Sequence, residues 1–174
     1  EVIEGKLSQI LNQPIRIHGS GRTDAGVHAN HQVAHCVLNQ PPDLYRLNHS
    51  LNRMLPPDIR IITIKIVPDD FHAQYSVVKK KYRYVIWNHT ITSPFDYNYV
   101  WGIPTPLDYS KLNEAASYLT GTHDFQNLSY RTNNKNTIRT IDEIYLQHNS
   151  HRIIIDVEAC GFLHKMVRFC VGLL

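Results

Sequence analysis

Between Lys80 and Trp87 side-chain character alternates residue by residue. Tyr82, Tyr84 and Ile86 fall on one face, and Lys81, Arg83 and Val85 on the other. Successive side chains of an extended chain point to opposite faces, so the run fits a strand of a sheet with one covered face. Other segments read the same way. Ile59 to Val67 is β-branched and largely alternating, which places Ile62, Ile64 and Ile66 together. Ile138 to Leu146 and Arg152 to Ala159 form a strand pair around an Asn149-Ser150 turn, and shorter strands are expected at Ile15–Ile17 and His31–Leu38.

Helical spacing separates these strands. Val2 to Leu11 is amphipathic despite Gly5. Asp43 caps a second helix with the stripe Leu44, Leu47, Leu51 and Met54, ended by Pro56-Pro57. Asp108 caps a third, with Tyr109, Leu112, Ala116 and Leu119 inward, stopped by Gly121. Phe162 to Leu174 is helical by the period of Leu163, Met166, Val167, Cys170 and Leu174. A polar loop spans Tyr130 to Asn136. The turn-rich stretch from Asn88 to Pro106 divides an expected N-terminal lobe, 1–88, from a C-terminal lobe, 89–174. The order predicts an α+β domain with a large sheet.

Composition sets outer limits. The 174 residues are 43% hydrophobic and 19% charged, as expected of a chain that buries a core. No apolar run has membrane-spanning length and no targeting peptide is visible, so a cytoplasmic location without membrane partners is expected. Cys36, Cys160 and Cys170 lack metal-site spacing and read as reduced thiols. A net charge of +3 is mildly basic, but Lys79, Lys80, Lys81 and Arg83 are bunched together. That charge permits an RNA partner without demanding one.

The most informative loop is Gly19-Ser20-Gly21-Arg22-Thr23-Asp24-Ala25-Gly26-Val27-His28-Ala29. Its glycines suit unusual turns or close approach of a ligand. It lacks the Gly-Lys-Ser/Thr ending of a phosphate loop and the glycine spacing of a dinucleotide site. On composition alone it is a capped surface turn in which Arg22 and Asp24 pair.

The string GRTDAGVHA nevertheless closely resembles the signature of the bacterial tRNA pseudouridine synthase A family. Three further matches follow in that family's order. They are Asn52 with Leu55-Pro56-Pro57-Asp58-Ile59; Phe71-His72-Ala73 followed by Ser76, Lys80, Tyr82 and Tyr84; and His123-Asp124-Phe125 followed by Gly161-Phe162-Leu163, Met166-Val167-Arg168 and Gly172. Gln74 departs from the pattern, standing where the family commonly has Arg. The resemblance implies a pseudouridine synthase fold, a large, mostly antiparallel sheet flanked by helices in two ferredoxin-like lobes. It implies Asp24 as nucleophile, Tyr82 against the target base, Arg168 as the cation beside the nucleophile, and Arg22 on the flipped nucleotide. His28, Lys79, Lys81 and Arg83 are further candidates for holding RNA. It also implies a homodimer acting on uridines on the 3′ side of the tRNA anticodon stem-loop.

These residue types suit the chemistry. Converting uridine to pseudouridine breaks the N–C glycosidic bond, turns the base and joins its C5 to the sugar, with neither metal nor redox cofactor required. A carboxylate can form the covalent intermediate on the sugar or on the base. A buried carboxylate stays ionised if a cation lies close. A base flipped from an RNA stem needs a wall, which an aromatic ring provides. Two competing readings stand beside this one: a metal site built from His28, His31, His35 and Cys36, and a non-catalytic RNA-binding module. A strand from residue 31 would put His31 and His35 on one face and Cys36 on the other, which spoils convergence. Family members carry a strand before the first helix and continue beyond the Met-Val-Arg helix. The 174-residue chain is therefore expected to be truncated at both ends and poorly stable or inactive alone.

Overall fold

A computed structural model describes residues 1–130 and 136–174. By packing they fall into two compact units, Glu1–Val77 and Val78–Leu174.

In the first unit, α1 (Val2–Leu11) and α2 (Leu44–Met54) appear as expected, the latter capped by the Asp43 carboxylate accepting from the Arg46 N–H at 3.0 Å. Leu7, Ile15, Leu47, Leu51 and Leu55 form the core between them. The strand expected at Ile15–Ile17 does not form; β1 (His18–Gly19) begins just after it and pairs antiparallel with β2 (Ala34–His35), which is much shorter than the expected His31–Leu38. Side chains of α1 explain part of this shortening. Ser8 Oγ accepts from Ile15 N–H and Glu4 Oε1 from Ile17 N–H, both at 2.9 Å, so these donors are satisfied without a ladder.

The Ile59–Val67 run is not a strand. Among the described residues no strand pairs with it, and the Asn52 carboxamide takes both backbone groups of Ile61, at 2.8 and 2.9 Å. Ile59, Ile61 and Ile64 pack on the core, while Ile62 and Ile66 are exposed. The expected Ile62–Ile64–Ile66 face does not form. The covered spacing is irregular because Asn52 pins the chain at one residue.

In the second unit, a four-stranded sheet is ordered β4-β3-β8-β7, from β3 (Lys80–Trp87), β4 (Trp101–Gly102), β7 (Glu143–Asn149) and β8 (Arg152–Ala159). Only the β3–β4 pair is parallel. A second sheet pairs β5 (Gly121–Asp124) with β6 (Ile138–Ile141). The single strand expected over Ile138–Leu146 is thus two, broken at Asp142, whose N–H donates to the Glu158 carbonyl. The helix α3 (Tyr109–Leu119) is capped by Asp108 and followed by Gly121 at φ 103°. A 3₁₀ turn follows at Gln126–Leu128. The last helix, α4 (Met166–Leu173), starts later than expected because Lys165 holds a left-handed φ of 59°. Phe125, Ile141, Ile153, Ile155, Val157 and Met166 anchor the core.

The turn-rich stretch from Asn88 closes back onto β3, where the Asn88 carboxamide donates to the carbonyls of Ile103 and Thr105 and accepts from Leu107 N–H. By packing, β3 belongs with β8, to which it pairs along its whole length, so it lies in the second unit rather than before a break at 88/89. Most of the expected polar loop, residues 131–135, lies outside the described residues. No described helix is long and apolar enough to cross a membrane.

Candidate active site

The Asp24 loop is built on the β1–β2 pair. His18 faces His35 and Gly19 faces Ala34, and beyond them Ser20 N–H donates to the Val33 carbonyl at 2.8 Å. Gln32 Nε2 donates to the Gly21 carbonyl at 2.9 Å, tying the outgoing limb to the ingoing one. Asp24 itself opens a tight turn, its carbonyl accepting from Val27 N–H at 3.1 Å. Gly26 takes φ 80° at the third position of that turn, a conformation a side chain would strain. The Asp-Ala-Gly-Val string is therefore a turn whose first residue carries the carboxylate. Asp24 is half-buried, whereas Arg22, Thr23 and the run from Ala25 to Ala29, His28 included, are exposed.

Beneath the loop lies a group of rings in the same unit. His18 and His35 stack with centroids 5.2 Å apart, and His72 meets His35 edge-on at 4.6 Å. Tyr75 stacks on His72 at 4.3 Å and Phe71 lies edge-on to His35 at 6.2 Å. Among the described residues no three His, Cys, Asp or Glu side chains are grouped to hold a metal ion. The His28–His31–His35–Cys36 run is drawn apart. His35 turns to His18 and His72, and half-buried Cys36 packs on the unit's core.

The second unit carries the other candidates. Tyr82 is half-buried in the first half of β3, opposite Val157 and edge-on to Phe162 at 5.2 Å. Arg168 is exposed on the first turn of α4, beside buried Met166 and Val167.

On the opposite face of β3 the cations are committed to carboxylates of β8. Lys79 and Lys81 both reach Glu158, at 2.7 and 2.5 Å, and Arg83 forms a fork on Asp156, at 2.7 and 2.6 Å. Asp156 and Glu158 are 4% and 8% exposed. The hydrogen bonds from Lys79 and Lys81 hold the Glu158 carboxyl below its usual range, and its carboxylate in turn raises both lysines. Sequence reasoning missed Asp156 and Glu158. The signal was present in the alternation of β8, where the two acids share a face that the antiparallel register sets against Lys81 and Arg83.

A family model described as tRNA pseudouridine synthase matches residues 1–76 and 115–174. The chain belongs to this family. The matched segments include the Asp24 loop and the Arg168 helix, while Tyr82 and the β3 cations lie between them. Similarity to individual relatives is continuous. A protein named tRNA pseudouridine synthase A from Thermoanaerobacter sp. strain X514 is 40% identical over 175 residues, covering 100% of this chain and 72% of the relative. One of the same name from Syntrophotalea carbinolica is 37% identical, covering 100% of this chain and 69% of the relative. A third, tRNA pseudouridine synthase A 1 from Protochlamydia amoebophila, is 42% identical, covering 99% of this chain and 71% of the relative.

Proposed function

We propose that this protein isomerises uridine to pseudouridine in tRNA, with Asp24 as the attacking carboxylate. The observation that carries the reading is family membership over nearly the whole chain, combined with a half-buried Asp24 at the head of a braced glycine turn. Attack by Asp24 on the sugar or the base loosens the glycosidic bond. The N–C bond breaks, the base turns so that its C5 bonds to the sugar, the bond to Asp24 breaks, C5 gives up its proton, and the former glycosidic nitrogen gains one. No atom is added or removed, so the residues need to hold a flipped nucleotide and move a proton.

Within this reading Tyr82 is the wall for the expelled base, Arg168 supplies the positive charge that keeps the nucleophile ionised, and Arg22 and His28 grip the nucleotide. Lys79, Lys81 and Arg83 remain partly exposed, with side chains 47–53% accessible, but each shares its charge with a carboxylate. Their electrostatic pull on RNA is accordingly weaker than their number suggests. The substrate site proposed is the 3′ side of the anticodon stem-loop, and the protein is proposed to act as a cytoplasmic homodimer.

The test is incubation of an unmodified tRNA transcript with the protein, followed by mapping of pseudouridine, with Asp24→Ala in parallel. Site-specific conversion by the wild type alone is expected. Conversion by both proteins would remove Asp24 from its role, and binding without conversion by the wild type would favour a non-catalytic RNA-binding module.

A further inference from the structure

The two strands that close the Asp24 loop carry imidazoles facing each other, and a third imidazole packs against them. We propose that His18, His35 and His72 are positioning residues for the Asp24 loop, holding its two ends in register only while the His35 imidazole is uncharged. The inference rests on the reading of that loop as the carrier of the nucleophile.

Hydrogen bonding fixes the protonation state that the cluster needs. His35 Nδ1 accepts from Ala73 N–H and His72 Nδ1 accepts from Gln74 N–H, each at 3.2 Å. A ring nitrogen that accepts carries no proton, so in this arrangement His35 is neutral with its proton on Nε2. The groups facing His35 are His18 from β1 and His72 from the turn after Pro68, together with the uncharged Phe71; Tyr75 covers the other side of His72. Protonating His35 removes the acceptor for Ala73 and sets a charge 5.2 Å from one imidazole and 4.6 Å from another.

Burial lowers the proton affinity of His35 below the usual 6.5, the proximity of the His72 and His18 rings lowers it further, and a hydrogen bond with the His18 backbone opposes the shift. The folded form therefore binds fewer protons than the unfolded chain. The stabilisation is complete above the unfolded value and is lost as pH falls through the folded one. Acid then loosens the pairings that close the loop, His18 with His35, Gly19 with Ala34, and beyond them Ser20 with Val33.

The experiment follows the His35 ring resonances and the hydrogen-exchange protection factors of the Ser20 and Val27 amides from about pH 8 to about pH 5, in wild type and in His35→Asn. Asparagine places a carboxamide oxygen where Nδ1 stood and does not titrate there. In the wild type, protection of both amides is expected to fall with the midpoint of His35. In His35→Asn it should stay level across the same interval. Constant wild-type protection through the His35 titration, or an unchanged decline in the variant, would overturn the proposal. If His35→Asn does not fold by far-UV circular dichroism, His18→Phe decides. It keeps a ring to stack and removes one like charge, so both midpoints should move upward together. Movement of only one overturns the proposal. The exchange profile does not depend on turnover, so failure of Asp24 as nucleophile would appear in Asp24→Ala and leave these outcomes readable.

Discussion

Asp24 heads a turn closed by its own carbonyl, which accepts from Val27 N–H, and Asp24→Asn leaves that backbone bond in place while removing the charge of the nucleophile. Asp24→Asn is expected to bind tRNA with near wild-type affinity and to form no pseudouridine, measured by filter binding alongside site mapping. At Glu158 the consequence concerns stability. Its folded pKa lies below the usual value of 4.5, so the contribution of the Lys79 and Lys81 ion pairs is fully present above that pH. It is lost as pH falls through the folded value. Glu158→Gln is expected to be less stable at neutral pH and to show a flatter decline in urea midpoint below about pH 4.5. At this scale the Gly-Arg-Thr-Asp string was legible because it is local in sequence. The partners of Lys79, Lys81 and Arg83 were not, because they lie more than 70 positions away and become neighbours only through the β3–β8 register.

Helices were readable because their signals are self-contained. Asp108 accepts from Ser110 and Lys111 N–H at 3.0 and 3.2 Å, and Leu112 and Ala116 sit on the buried stripe their spacing dictates. Asp108→Ala is expected to cost about 1 kcal/mol in denaturant unfolding. Strands were less readable, since alternation requires a partner before it becomes a ladder. Arg152–Ala159 found partners on both sides, whereas Ile59–Val67 found a side chain instead. Asn52→Ala removes both bonds to Ile61 and should destabilise by roughly 1–3 kcal/mol, more than the loss of a cap. Equal effects of the two substitutions would show that the Asn52 bridge contributes little. The break at Asp142 has a local sign, the adjacent acids Asp142-Glu143 that interrupt the run, but that sign does not by itself tell that the two halves serve different sheets.

For the whole molecule, the α+β class follows from the order of patterns, and the division at 77/78 follows from pairing. The candidate residues are shared between the units, Arg22, Asp24 and His28 in the first and Tyr82 and Arg168 in the second. Sedimentation equilibrium is expected to return twice the 20.1 kDa chain mass if the proposed homodimer forms. A single chain mass at micromolar concentration would count against it.

The acid–base ladder between β3 and β8 also bears on how the chain avoids errors while it folds. Slipping two strands by one residue turns every side chain to the wrong face and is rejected by hydrophobicity alone. Slipping by two keeps the faces and would escape that filter. Here a slip in one direction sets Arg83 against Ile154 but keeps Lys81 opposite an acid, Asp156, and a slip in the other sets Asp156 against Val85 but keeps Arg83 opposite Glu158, so each strands one charge at an end of the ladder. The end members of the ladder, Arg83 and Asp156, rather than its whole length, thus oppose a misalignment that an alternating pattern does not penalise.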